Sequence, residues 1–241
     1  MDIMKRLLAL SLTSLFVISV SALGQIKLSD LLRKIPGTGV SENEAVQGVK
    51  EALAQGVSNA ILNLHRTDGF FGNSLYKVLL PDDAKKAENT LRKIGLGGSV
   101  DKAILAINRG AEDAVGSAGP IFTDAIKEMT LTDAIGIVRG KKDAATQYFR
   151  QKTELRLADV FAQPVHESLD RTSATRYYSD IANTYNRLPT GSGKIDPDLT
   201  SYVVGKSMDA LFDQIAKEEA NIRTNPVARS TEILKKVFGS R

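Results

Sequence analysis

Two stretches of the chain carry acidic and basic side chains at spacings that could support chemistry. In AKEEANIRTNP, residues 216–226, Glu218 and Glu219 stand side by side with Arg223 close behind. An acid–base couple needs carboxyl groups whose environments push their pKa values apart within one cleft. Adjacent residues on a helix diverge by about 100°, so Glu218 and Glu219 do not form such a couple. Met208, Leu211, Phe212, Ile215 and Ile222 make the apolar stripe of this helix, and Glu219 falls inside it. A lone carboxylate on a buried face is costly and needs a partner. Arg223, four residues on, is placed to be that partner, and the spacing predicts a structural salt bridge.

The second stretch is AINRGAEDAV, residues 106–115, with Asn108, Arg109, Glu112 and Asp113 on one helix. Val100, Ile104, Ile107, Ala111 and Ala114 share its apolar face. Asn108 and Glu112 lie together on the shoulder of that face, while Arg109 points away with Asp113 one turn on. The arrangement predicts two i,i+4 surface pairs. The sharper alternative puts Asn108 and Glu112 at the rim of a pocket.

Other fragments resemble known chemistry less well. Gly191-Ser192-Gly193-Lys194 lacks the glycine five residues before Gly193 and the Ser or Thr after the lysine that a phosphate loop requires. Ser99-Val100-Asp101-Lys102 matches Ser-x-x-Lys, but the companion motifs of acyl-serine enzymes are missing, and Ser99 reads as a helix N-cap. The two histidines, His65 and His166, have no ligand spacing around them. His65 falls at a helix C-terminus, where the dipole favours it. No catalytic residue, metal site or cofactor is expected.

These residues must be positioned by helices. Ser41-Glu42-Asn43-Glu44 is a capping box opening a helix to about Leu64, striped by Val46, Val49, Leu53, Val57, Ile61 and Leu64. Gly48, Ala52, Gly56 and Ala60 repeat every four residues on it, which predicts a close-packed neighbour. TDGFFGNSLYKVLLP, residues 67–81, is the least helical stretch, with an extended segment over Leu75–Leu80 lying on helices. Asp82 and Asp83 open a helix that Gly95 closes. Helices follow near 100–116, 120–129, 133–139 and 142–162, with Pro164 kinking or restarting the chain before 165–171 and 174–187. Residues 188–198 read as a flexible linker, then a long helix from Asp198 to about Asn221 and a short one from Pro226 to Phe238. The predicted fold is all-α: one compact multi-helix bundle over 25–241 with a short extended segment near residues 70–80.

The N-terminus reads differently. Lys5 and Arg6 precede a mostly apolar run from Leu7 to Val20 and then Ser21-Ala22-Leu23-Gly24, the order of a secretory signal peptide over residues 1–24. The run is too short to span a bilayer. The expectation is a soluble, periplasmic mature chain with no transmembrane segment. The whole sequence has no cysteine, which excludes thiolate metal sites, Cys nucleophiles and disulfide staples. Its net charge of +4 falls to +3 once Asp2, Lys5 and Arg6 leave with the signal, and the excess is scattered. Nucleic-acid binding needs a concentrated basic stripe, so no such partner is expected.

TDGFFGN, LRKIGLG, NRGAEDAV, DAIKEMTLTDA, DAATQYFR, LFDQIAKEEANIRTNP and ILKKVFG occur here in that order. On these motifs the chain resembles a family of exported bacterial proteins described only as a domain of unknown function. Ser74 follows Asn73 where that pattern has a proline. The resemblance covers essentially the mature chain and implies an exported, mainly helical, single-domain protein, with no activity, cofactor or site residue attached.

The leading functional expectation is a non-catalytic envelope protein binding a small apolar ligand or a protein partner. Phe70, Phe71 and Phe149 either plug the core or line an apolar groove between helices. In the second case Phe70, Asn108, Glu112, Tyr148, Arg150, Glu219 and Arg223 would form the ligand-binding set. The alternative is an envelope enzyme using carboxylates such as Glu112 or Glu219, which requires a carboxyl group with a raised pKa in a cleft.

Overall fold

The computed structural model of the chain describes residues 42–189, 194–228 and 235. The predicted signal peptide, the predicted Ser41 cap, Gly191–Gly193 and most of the last predicted helix lie outside the described residues. The first helix, α1, runs Glu42–His65. Its stripe of Val49, Leu53, Val57 and Leu64 is buried, with Val46 and Ile61 packed alongside. After turns over 66–76 and an extended stretch 77–81, a 3-10 turn Asp82–Ala84 leads into α2, Lys85–Lys93. Gly95, at φ +85°, lets the Leu96 N–H reach back to the Leu91 carbonyl at 2.8 Å and closes α2 as its position predicts.

Then come α3 (Gly97–Val115), α4 (Gly119–Glu128) and α5 (Leu131–Arg139). The chain finishes with α6 (Ala144–Arg171), α7 (Ala174–Asn186) and α8 (Thr200–Thr224). The described residues hold no strand, and the all-α expectation stands. α8 packs against α6 and α1, while α3 packs against α6 and α7. One main core joins them, from Val49 on α1 to Ile215 on α8. At its centre Phe122, Phe149 and Phe212 meet edge to face, with ring centroids 5.3 and 6.1 Å apart. Edge-to-face pairs of this kind add about 0.5–1.5 kcal/mol beyond their area.

Several boundaries differ from the sequence reading. α6 runs on through Pro164 as one helix, so the chain does not restart there. Phe161 and Val165 bury the turn on both sides, and Val160, whose carbonyl loses its donor, is exposed to water. Ser99 is not an N-cap, because α3 begins two residues earlier at Gly97 and the Ser99 N–H donates to the Leu96 carbonyl at 3.1 Å. The described end of the predicted linker is fastened: Ile195 is buried, and the Asn186 amide bonds both its N–H (2.9 Å) and its carbonyl (3.1 Å). The small-residue row on α1 faces α8, where a Cβ on Gly56 would lie 3.6 Å from that of Glu218.

On α8 the Ser207 hydroxyl is wholly buried and has no hydrogen-bond partner among the described residues. An unsatisfied buried hydroxyl costs about 1–3 kcal/mol. Ser207→Ala is therefore expected to raise stability by about 1 kcal/mol or more. A denaturant midpoint that stays put or falls would contradict this.

Candidate functional site

The charged shoulder of α3 turns out to be an anchor for the chain that follows α1. Glu112 is 3% exposed, and its Oε1 accepts the backbone N–H groups of Phe70 and Phe71, both at 3.1 Å. Its Oε2 meets the Arg109 guanidinium at 2.6 Å, and Arg109 also reaches Asp68 at 2.7 Å. The loop takes this tight course because Asp68 adopts φ +66° and because Gly69 and Gly72 follow it. A Cβ on Gly69 would fall 2.3 Å from the Leu64 carbonyl oxygen, which no side chain allows. His65 adds a bond between its Nδ1 and the Glu112 carbonyl at 2.7 Å.

Asn108, fully buried at 0% exposure, holds the next segment. Its Oδ1 accepts the Val78 N–H at 2.8 Å, and its Nδ2 donates to the carbonyls of Val78 and Ile104, each at 2.7 Å. One side-chain amide thus binds both backbone groups of one residue, as a neighbouring strand would. That is how a segment with no sheet stays extended. Before it, the Asn73 side chain accepts the Leu75 N–H at 3.0 Å and makes the turn without a proline.

The expected pairing on α3 is therefore corrected. Asn108 and Glu112 are not a surface pair, since each bonds backbone from another element. Arg109 pairs with Glu112 three residues on, and Asp113 pairs with Arg171 of α6 instead. A helix wheel gives the direction of a side chain but not which loop will arrive above it.

The second carboxylate works in the same way. Glu219 is 8% exposed and accepts the N–H groups of Ala145 (3.0 Å) and Thr146 (2.9 Å) at the start of α6, together with the Thr146 hydroxyl at 2.9 Å. Arg223 bridges to it at 2.7 Å, as its spacing predicts, and also donates to the Ile137 carbonyl at 2.8 Å. Asp143 makes no capping bond at that terminus, so a residue from α8 caps α6. An anion there is further favoured by the helix dipole.

The seven proposed binding residues fall in separate places. Phe70, Asn108 and Glu112 surround the 68–78 loop, and Glu219 and Arg223 sit at the start of α6. Arg150 pairs with Glu154 at 2.9 Å and lies 4.4 Å over the Phe212 ring. Tyr148 donates to the Ala125 carbonyl at 3.0 Å and lines a hollow of about 370 Å³ beside Asp133 and Lys141. Burial pushes its phenol up to about 12, so it stays protonated. Phe70 and Phe149 plug the core, and Phe71 lies half-buried beneath Lys77, 4.1 Å away.

The cavity touching Glu219 and Arg223 measures about 30 Å³ and is otherwise apolar. That is about the volume of one water molecule. Among the described residues, no group of three or more His, Asp or Glu is placed to hold a metal. Among the described residues, every carboxyl group with a displaced titration moves downward. None of these is therefore the raised-pKa acid that an enzyme reading needs.

A wider opening lies elsewhere, where the sequence suggested an extended segment but no site residue. A groove of about 600 Å³ runs between segment 75–82 and α8, walled by Tyr76, Lys77, Leu79, Tyr202, Lys206 and Lys217 among others. Leu75 is 74% and Leu79 50% exposed on its rim. The one sequence signal was the alternation over Leu75–Leu80, which buries Tyr76, Val78 and Leu80 and leaves Lys77 and Leu79 outward.

At the floor, the Tyr76 hydroxyl donates to Asp213 at 2.7 Å and accepts from Lys217 at 2.6 Å. Burial raises the Asp213 carboxyl, but the bonds from Lys217 and Tyr76 outweigh it and hold it below its ordinary value. A depressed carboxyl stabilises the fold above its unfolded pKa and loses that contribution as pH falls through the folded value. Protection factors over residues 76–80, which correct for the intrinsic slowing of exchange in acid, should thus fall selectively below about pH 4. Protection there that does not change down to about pH 2 would contradict this role.

In comparisons with curated proteins and with solved structures, nothing matches the chain. A family model does, and on its match over residues 39–239 the chain belongs to the family described as "Protein of unknown function (DUF4197)".

Proposed function

We propose that this is an exported, non-catalytic protein of the cell envelope that acts by binding a protein partner through the groove between segment 75–82 and α8. The observation that carries the reading is the groove itself, with Leu75 and Leu79 exposed on its rim. Exposed apolar patches rimmed by polar residues mark interaction surfaces, and Leu75 and Leu79 stand together on a rim that also carries lysines and aspartates. The alternative of a small apolar ligand is weakened because the apolar cavity between α1, α6 and α8, at 30 Å³, falls far below the roughly 300 Å³ at which ligand pockets begin, while the two wider openings are lined with charged side chains. Catalysis is weakened because Glu112 and Glu219 spend their oxygens on backbone N–H groups and arginines. Export rests on the order of residues 1–24. Among the described residues no helix is long and apolar enough to cross a membrane.

Native mass spectrometry of the protein purified from its host envelope tests both halves at once. The expected chain mass lacks residues 1–22 to 1–24, and a stoichiometric protein partner travels with it. Changing both Leu75 and Leu79 to Asp should lower the partner's occupancy at least about tenfold, which corresponds to 1.4 kcal/mol. A full-length chain would contradict export. A bound lipid with no partner, or a partner held equally by the double variant, would contradict the groove.

A further inference from the structure

The geometry points to an extended, acidic polypeptide segment of the partner as what the groove takes, added as a strand along the Leu79 edge; this rests on the partner-binding reading above. In an extended chain the N–H and C=O of one residue point to the same side, and successive residues alternate sides. Val78 turns both groups toward α3, where the Asn108 amide satisfies them. Leu79 must turn its own pair the other way, toward α8, and its carbonyl does accept the Tyr202 hydroxyl there at 3.1 Å. The Leu79 N–H has no acceptor among the described residues. The extended segment is thus fixed on one edge by a side chain; on the other the Lys77 N–H is taken by the Asn73 carbonyl at 2.8 Å, and the Lys77 carbonyl and the Leu79 N–H are left to pair with one residue of an added strand. Pro81 ends it, since a proline offers no N–H to a further pair.

Charge says what the added strand carries. The groove wall holds Lys77, Lys85, Lys206 and Lys217 against Asp82, Asp209 and Asp213. Lys85 pairs with Asp82 at 2.7 Å, and Lys217 pairs with Asp213 at 2.9 Å. Two lysines then remain against one aspartate. Those two ammonium groups rest on aromatic faces, Lys77 over Phe71 at 4.1 Å and Lys206 over Tyr202 at 5.7 Å. An incoming carboxylate offers either of them a charge-assisted bond. Main-chain bonds would supply the affinity of such an addition, and alternate side chains its selectivity.

Fluorescence anisotropy on the full mature chain, with synthetic peptides as the probes, decides the point. A labelled alternating Val/Glu hexapeptide should bind, and its Val/Lys counterpart should bind at least about tenfold more weakly. The acidic peptide N-methylated at alternate residues keeps its charges but loses its donors, and should also lose about tenfold or more. Leu79→Pro removes the edge N–H and should weaken the acidic peptide similarly, with an unshifted thermal midpoint. Should that variant not fold, the N-methyl comparison on the unchanged chain decides alone. Equal binding of the N-methylated peptide, its displacement by inorganic phosphate, or no binding of the acidic peptide at millimolar concentration would each overturn the strand. If the peptide fails while the Leu75→Asp, Leu79→Asp chain still loses its native partner, the strand falls and partner binding stands.

Discussion

Glu112→Ala is expected to cost about 3–5 kcal/mol and to lower the thermal midpoint by roughly 6–20 °C. The change strands the buried N–H groups of Phe70 and Phe71, and it leaves Arg109 facing Asp68 alone. Arg109 is about a third exposed and can rehydrate, so most of the loss comes from the two amides and the void beside them. Glu112→Gln keeps an acceptor for the amides but points a donor at the guanidinium, and should fall between the wild type and the alanine variant. The check is thermal melting with amide exchange at Phe70 and Phe71. A midpoint unmoved in Glu112→Ala, with slow exchange retained at both amides, would refute the anchoring role.

Glu219→Ala should be comparably damaging, at about 3–5 kcal/mol. It uncaps α6 at Ala145 and Thr146 and removes the carboxylate that Arg223 bridges, a side chain itself largely buried. Removing Arg223 as well should cost less than the sum of the two single changes, because the two side chains bond each other and each single change already removes that bond. A double-mutant cycle by denaturant unfolding measures this. Strict additivity would show that the two side chains do not act as a unit.

Both residues show where sequence reasoning stops. The bridge from Glu219 to Arg223 was legible because both ends lie on one helix, four residues apart, inside an apolar stripe. That the same carboxylate caps α6, more than seventy positions earlier, was not legible, since no local spacing encodes which helix terminus will arrive at α8. Asn108 is the same case. Its place on the shoulder of a buried stripe marked it, but the Val78 backbone that it binds lies thirty residues back. The helices themselves followed from periodicity, and the small-residue row on α1 announced a close neighbour without naming α8. The restart expected at Pro164 does not occur because the proline's local rule yields to packing when residues on both sides are buried.

Another glycine, Gly110, was passed over. A Cβ there would lie 2.9 Å from Leu169 Cδ2, so α3 and α6 meet at a point where only glycine fits without displacement. A glycine in the middle of a helix was the available signal. The groove was missed for a different reason. Its residues come from a segment whose extended course depends on Asn108, and exposed Leu75 and Leu79 look unremarkable until the wall of α8 stands opposite them.

The most direct measurement is site-specific photo-crosslinking in living cells from position 79, with position 155 as the control. Leu155 on α6 is 84% exposed, more than Leu79, but lines none of the grooves described above. If the cleft beside α8 is the working face, a photoreactive residue at 79 yields one discrete protein adduct and the same residue at 155 yields none. Adducts of equal yield from both positions, or from 155 alone, would contradict it.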